Sequence, residues 1–355
     1  MPRPKPEELA PRLLPWYDAA KRDLPWRRTR DPYRILVSEV MLQQTQVSRV
    51  LQYYPRFLRA FPTCRALARA PEEEVLRQWQ GLGYYARARH LQRACQAMVA
   101  QHGGRFPRAF AEAAALPGIG RYTAGAVLSI AFEQRQAAVE ANVRRVLCRV
   151  LLEPGDTATS RARVARVAER AVPAARPGDY NQALMELGAL LCSPRSPRCP
   201  ECPLHGVCRA HARGRESAVP AAVSRRAESA RVALAVVWRR GRVLLAHRAP
   251  KGRWAGLWEF PNGELVGDQD PRAALGRLLE QDFGLNAYVG EPLTELTHTI
   301  MHRRITLTAY ASVAIAGRLR AGQHLEARWA KAEELEGYPL PSPHRKIADA
   351  VAHGW

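Results

Sequence analysis

The sequence predicts a multidomain protein that is all-α through about its first 210 residues and mixed α and β beyond them. Three observations carry that prediction. Apolar residues recur at helical spacing as far as about residue 190, and no period-two stretch interrupts them. Four of the seven cysteines then crowd between residues 192 and 208, where the helical pattern stops. From Val232 the pattern turns to strands: VALAVVW, Gly241 and RVLLAHR read as a hairpin, and THTIMHRRITLTAYASVAI alternates like another. At 355 residues the chain exceeds one average domain, so two or three separate cores are expected.

Charge narrows the partner. A formal net charge of +21, from 54 Lys plus Arg against 33 Asp plus Glu, is far more than solubility requires and points to an extended polyanion. Nucleic acid fits better than membrane, because no apolar run approaches the roughly 18 residues of a spanning helix. The opening MPRPKPEELAPR lacks the apolar core of a signal peptide, so a cytoplasmic location is expected. In a reducing compartment the clustered cysteines read as metal ligands, and the solitary Cys64, Cys95 and Cys148 as buried core thiols.

Taken in order, residues 7–26 read as an amphipathic helix broken by Pro25. Trp26, followed by Arg27 and Arg28, suits stacking beside a charged ligand, and equally suits a core position with solvated arginines. Asp31 then caps a helix with Pro32 at its first position, and Tyr33–Val50 continues it without a breaker. Inside that helix Glu39 shares a face with Ile35, Leu36 and Leu42. Desolvation there would raise its pKa, as a general acid near neutral pH requires; a structural pair with an arginine is the competing reading. The run Gln43-Gln44-Thr45-Gln46 offers amides either to base edges or to water.

Further on, Trp79-Gln80-Gly81-Leu82-Gly83-Tyr84-Tyr85 is a glycine-hinged aromatic turn followed by Arg87, Arg89 and His90. That composition can wedge into a base stack, although two core tyrosines would look the same. Between Leu116 and Glu140, Gly118 and Gly120 lie between two helical patterns, so the segment reads as helix, Gly-x-Gly hairpin, helix. The free N–H groups of the second helix would face an anion on the turn; a C-cap glycine with an ordinary turn is the plainer alternative. NQALMELGALL then places one carboxylate, Glu186, among apolar residues, directly before Cys192-x6-Cys199-x2-Cys202-x5-Cys208. Zinc and a [4Fe–4S] cluster both fit four cysteines, and the compact 6-2-5 spacing favours the cluster over two distant Cys-x2-Cys knuckles. Residues 209–231, with six arginines and no periodic apolar face, read as a linker lying along DNA. A helix over Ala273–Phe283 separates the two hairpins that follow.

SEVMLQQTQV, GLGYYARARHL, LPGIGRYTAGAVLS and NQALMELGALLC, with the cysteine loop, resemble the endonuclease III superfamily of helix-hairpin-helix DNA glycosylases, and within it the MutY adenine glycosylases. The match covers about residues 20–210 and, more weakly, the C-terminal part. It implies a helical glycosylase core over 1–211, with a six-helix module at about 30–136 and an iron–sulfur module from about 1–29 and 137–211. A linker over 212–230 and a Nudix-like, MutT-like domain over 231–355 would follow. The implied activity is monofunctional excision of adenine opposite 8-oxoguanine or guanine, in base excision repair. The implied setting is a bacterial cytoplasm, with a monomer on double-stranded DNA at the nucleoid and one [4Fe–4S] cluster on Cys192, Cys199, Cys202 and Cys208.

By the same resemblance Glu39 is the acid that protonates adenine N7, and Glu140 the carboxylate that stabilises the oxocarbenium ion. Arg22, Trp26, Leu42 and Glu186 match positions lining the flipped adenine, and Gln44 and Tyr84 those that intercalate near the opposite base. Arg27, Gly118, Gly120 and His302 are expected on DNA. Tyr122 stands where lyases of the superfamily carry a Schiff-base lysine, so strand cleavage is not expected; it is read as helping to position Glu140. In the C-terminal part the Nudix metal box is broken: Gln269, Leu278 and Gln281 replace glutamates and only Asp282 is acidic. No magnesium site is expected there, and the domain is read as recognising 8-oxoguanine.

The chain departs from the MutY pattern at Glu140, usually Asp, and at Ile300-Met301-His302, usually Phe-Ser-His. The rival functions are an endonuclease III-like pyrimidine glycosylase with lyase activity and an iron–sulfur lesion-binding protein weakened by Glu140.

Overall fold

The computed structural model describes residues 3–155, 157–221, 228–250, 252, 254–300 and 302–354. They form two compact units, one drawn from Met1–Arg69 and His90–Ser224, the other from Ala70–Arg89 and Arg225–Trp355.

Up to residue 221 the described regular structure is helical: α1 (Leu9–Ala20), α2 (Pro32–Leu42), α3 (Val47–Ala60), α4 (Cys64–Arg69), α5 (Glu72–Trp79), α6 (Ala86–His102), α7 (Phe110–Ala115), α8 (Arg121–Phe132), α9 (Ala141–Leu151), α10 (Ala158–Ala171) and α11 (Pro177–Leu190), with short 3-10 turns. α5 and the first residues of α6 belong to the second unit.

Two packing centres build the first unit. In one, Leu9, Leu13 and Tyr17 of α1 meet Val143, Val146, Leu147 and Val150 of α9 and Tyr180, Leu184 and Leu187 of α11, with Leu204 from the cysteine loop. The spacing is that of an apolar stripe on each helix, and each fully buried leucine contributes about 1.5–3 kcal/mol. In the other, α2 is buried from Ile35 to Met41, polar Ser38 and Glu39 included, and packs on α3 and α8. Asp31 caps α2 by accepting from Tyr33 N and Arg34 N, as its sequence predicts. Cys64, Cys95 and Cys148 are buried.

Two helix ends differ from the sequence expectation. The helix read over 7–26 stops at Ala20, well before Pro25, because the chain turns at Lys21 and Arg22 gives its backbone N–H to Glu186 Oε1 at 3.0 Å. The helix read over Tyr33–Val50 is two helices: α2 ends at Leu42, Gln44 adopts φ 56°, and α3 starts at Val47. Four polar residues in succession have no apolar face to bury, so nothing opposes the turn there. Of the expected linker, residues 222–227 lie outside the described residues. Before them Val219 O accepts from Arg149 Nε at 2.8 Å and Ala221 N donates to Pro154 O at 2.9 Å, holding the chain on the first unit.

The second unit contains β1 (Glu228–Arg239), β2 (Arg242–His247), β3 (Trp258–Glu259), β4 (Asn262–Leu265), α12 (Pro271–Gln281), β5 (Leu285–Ile300), β6 (Arg303–Gly317), β7 (Glu326–Lys331) and α13 (Ser342–Ala352). The strands pair in the order β3-β2-β1-β6-β5, with β4 on β1 and β7 on β2. β1 and β6 run parallel, Leu234 beside Ala309, and the other pairs are antiparallel. Arg240 and Gly241, both at positive φ, form the two-residue turn of the β1–β2 hairpin. β1 is apolar on both faces because both are covered: Val232, Leu234 and Val236 pack with Ile347 and Val351 of α13, while Ala233, Ala235 and Val237 pack with Leu275 and Leu279 of α12.

Candidate active site and metal loop

α7, Leu116–Gly120 and α8 form the helix-hairpin-helix that the sequence predicts. Its two glycines serve different ends. Gly118 has φ 73°, and a Cβ there would stand 2.3 Å from His90 Cβ, so the position excludes any side chain twice over. Gly120 is an extended N-cap residue with no neighbour within 4 Å of an added Cβ, leaving the amino end of α8 uncovered.

The first turn of α8 also carries Tyr122, whose hydroxyl donates to Glu39 Oε2 and reaches Met185 Sδ at 3.9 Å. Glu39 is 5% exposed. Burial pushes its carboxyl up to about 7, against the Tyr122 hydrogen bond, which favours the anion; nearby Glu140 pushes further up and Arg27 down. Burial likewise raises the Tyr122 phenol well above its ordinary range, so it remains a donor. Tyr122 is expected from the sequence to help position Glu140, a helix away; its hydroxyl bonds Glu39.

Glu140 is the N-cap of α9: its carboxylate accepts from Asn142 N at 2.7 Å and Val143 N at 2.9 Å. The two amides and the helix dipole hold a negative charge in place.

The structural carboxylate–arginine pair, open as a reading of Glu39, belongs to Glu186. That side chain is 1% exposed and receives Arg22 Nε at 2.8 Å, Arg22 Nη2 at 2.6 Å, Arg27 Nη1 at 3.1 Å and Arg27 Nη2 at 2.8 Å. Burial alone would push Glu186 up, but the hydrogen bonds from Arg22 and Arg27 outweigh it and hold the carboxyl at about 2. Trp26 is buried, its ring edge-on to Tyr54 at 5.5 Å.

These groups converge. Arg22, Trp26, Arg27, Glu39, Leu42, Gln44, Gly118, Gly120, Tyr122, Glu140 and Glu186 all line one cavity of about 520 Å³, which also takes in Thr123, Gln182 and Met185. Gln44 is exposed, and its left-handed backbone presents it at the break between α2 and α3. Tyr84 and His302 belong to the second unit. His302 follows β5 in the turn to β6, with its Nε2 3.6 Å from Glu228 Oε1; Met301 lies outside the described residues.

Cys192, Cys199, Cys202 and Cys208 surround a second, small cavity of about 20 Å³. Burial and mutual repulsion push Cys202 up to about 12, so four thiolates would need a compensating cation. Cys199 also lies in a group with His211 and Glu216 whose ligand atoms come within 4.8 Å of one another. His211 Nδ1 and Glu216 Oε1 are 2.7 Å apart and engage each other, and the loop as a whole is a candidate metal-binding site.

Sequence reasoning missed two arginines of α9. Arg149, 2% exposed, places Nη1 3.2 Å from Cys192 Sγ and donates to Ser193 O and Pro194 O. Arg145 donates to Cys192 O and to Asn142 Oδ1, both at 2.8 Å. The available signal was a pair of arginines at i and i+4 within the apolar run VRRVLCRVL.

A helix-hairpin-helix opening on a cavity lined by Glu39, Glu140 and Glu186, followed by a cysteine loop, is the arrangement of a base-excision glycosylase. The model of the HhH-GPD superfamily base excision DNA repair protein matches residues 37–173, and that of the NUDIX domain residues 232–350. Adenine DNA glycosylase of Rattus norvegicus is 38% identical over 94% of this chain and 76% of its own length; that of Homo sapiens is 37% identical over 94% and 72%. A solved thermostable thymine-DNA glycosylase superposes on 59% of this chain and 97% of its own, with TM-score 0.55 and 30% identity. The chain belongs to the adenine DNA glycosylase family, enzymes that hydrolyse N-glycosyl bonds in base excision repair.

Proposed function

We propose that the enzyme is a monofunctional glycosylase that removes adenine mispaired with 8-oxoguanine or guanine, acting as a monomer on double-stranded DNA. The observation that carries the reading is the single cavity shared by a buried Glu39 poised at about 7 and the helix-held carboxylate of Glu140. Protonated Glu39 gives its proton to adenine N7. The C1′–N9 bond then breaks with its electron pair leaving on the base. Glu140 stabilises the positive charge left on the sugar, and water adds at C1′, losing a proton to complete hydrolysis. Trp26 and Leu42 supply apolar walls for a flipped base, while Arg22 and Arg27, fixed by Glu186, shape the rim. Gly118 and Gly120 take the backbone phosphate at the amino end of α8. Tyr122 carries no amine, so no Schiff base forms with the opened sugar.

On the second unit, Gln269, Leu278 and Gln281 in place of box glutamates argue against nucleotide hydrolysis. We assign that domain to recognition of the opposite lesion, with His302 as its DNA contact. The cysteine loop is assigned one [4Fe–4S] cluster, which would act structurally by cross-linking the loop that follows α11.

Single-turnover excision from duplexes with A:8-oxoguanine, A:G and A:C tests the function. Abasic product is expected in that order of rate, and absence of product from the first duplex overturns the reading. Iron and sulfide analysis of purified protein tests the cluster: four of each per chain is expected, and zinc in their place overturns it.

A further inference from the structure

The turn that carries Tyr84 is built into the second unit. Tyr84 has φ 48° and is 40% exposed, whereas Trp79 and Tyr85 on either side are 0% and 5% exposed. A bulky residue held left-handed persists only where its surroundings fix it. From within the turn, Arg87 donates to Leu82 O and Gly83 O, and its guanidinium lies 5.3 Å from the Trp79 ring and 5.5 Å from the Tyr84 ring. From outside the turn, the fixing comes through Leu340, in the connection that leads into α13. The Tyr85 hydroxyl accepts from Gly81 N and donates to Leu340 O, both at 3.3 Å. Gln80 Oε1 accepts from Leu340 N at 3.4 Å and from Arg345 Nη2 at 3.5 Å. Leu340 therefore grips the turn with its N–H and its C=O together.

The same unit repeats the attachment nearby. Arg89 Nη1 donates to Ala255 O at 2.6 Å, and Trp258 Nε1 donates to Glu73 Oε1 at 3.1 Å. Gly256, at φ 72°, has Glu72 Oε1 3.1 Å and Arg89 Nη1 3.2 Å from where its Cβ would be.

We propose that Tyr85 and Gln80 are positioning residues that set the Tyr84 wedge against the Leu340 connection, so that the C-terminal part of the chain governs how the base stack is opened. This rests on reading Tyr84 as the residue that enters the stack. Its consequence is that one body carries both the wedge and the surface assigned to the base opposite adenine, and the two contacts form together.

A double-mutant cycle tests it, using the full chain and a duplex with 2-aminopurine beside an A:8-oxoguanine pair. Fluorescence reports stack opening, single-turnover rate reports excision, and the urea midpoint reports folding. Tyr85→Phe and Gln80→Ala are each expected to lower the fluorescence rise and the rate two- to tenfold, the effect of one hydrogen bond. In a Tyr84→Ala background both should have no further effect. Equal losses in the two backgrounds overturn the positioning role. If Tyr84→Ala alone changes neither fluorescence nor rate, the wedge reading fails instead. Should Tyr85→Phe lower the urea midpoint, Gln80→Ala, at a half-buried site, reads the same cycle with the same two outcomes.

Discussion

The Tyr122 hydroxyl donates to the Glu39 carboxyl across 83 positions of sequence, joining the first turn of α8 to the middle of α2. Burial and this bond act on Glu39 in opposite directions, and burial wins. The acid is thereby left near the pH at which it can both hold and release a proton.

The rate of excision should fall as pH rises through about 7, because the proton that must be donated is lost there. Glu39→Gln should remove this limb and cost about 10²–10⁴ in rate. The substitution has the opposite effect on stability. With its folded pKa raised above the ordinary 4.5, Glu39 costs nothing below pH 4.5 and progressively more as pH rises towards 7. Glu39→Gln should therefore match wild type in urea at pH 4.5 and exceed it at pH 8 by up to about 3 kcal/mol.

Tyr122→Phe removes a hydrogen bond that favours the Glu39 anion. The basic limb should move upward by about 0.5–1 pH unit, as loss of one such bond implies. A profile unmoved or moved downward in single-turnover measurements would contradict the geometry.

Glu186→Gln leaves the guanidinium of Arg27, 12% exposed, short of its partner inside the first unit. Arg22 is 35% exposed and regains water. Breaking a buried pair typically costs 3–5 kcal/mol, and solvent at Arg22 reduces this to about 2–3 kcal/mol. Urea denaturation at pH 7 should show that loss, shrinking as pH falls from about 4.5, the ordinary carboxyl value, towards the folded value of about 2.

Gly118→Ala forces a Cβ towards His90 Cβ at 2.3 Å in a left-handed backbone. Overpacking of this kind costs about 1–3 kcal/mol, and the displaced hairpin should also bind DNA more weakly at every sequence, as a phosphate contact would. Gly120→Ala, with nothing within 4 Å, is the control that should fold like wild type.

Much of this was legible in residue order. The Asp31-Pro32 cap, the hairpin between α7 and α8, and the change from helical to alternating pattern at Val232 each rest on local chemistry. What stayed hidden depends on distant partners. The early end of α1 exists because Arg22 meets Glu186, 164 positions away. The turn at Gln44 sits in a run that a periodicity argument simply continues. No local signal assigns residues 70–89 to the second unit, since their partners Ala255, Trp258 and Leu340 come after the whole first unit. The roles of Glu39 and Glu186 looked alike in sequence, each a lone carboxylate among apolar residues; only the tyrosine beside one and the two arginines around the other separate them.

Two carboxylates of the cavity, Glu39 and Glu140, differ in what their loss would reveal. Glu140 closes the amino end of α9, so replacing it by alanine gives up about 0.5–2 kcal/mol of folding free energy along with its electrostatic role. Glu39 is held at the expense of stability, and replacing it relaxes the fold. A set of variants scored by protein abundance alone should flag residue 140 and pass residue 39 as benign, although loss of activity is expected at both. Abundance and activity must be read side by side at these positions, since a plentiful, robust protein is what a dead acid would produce.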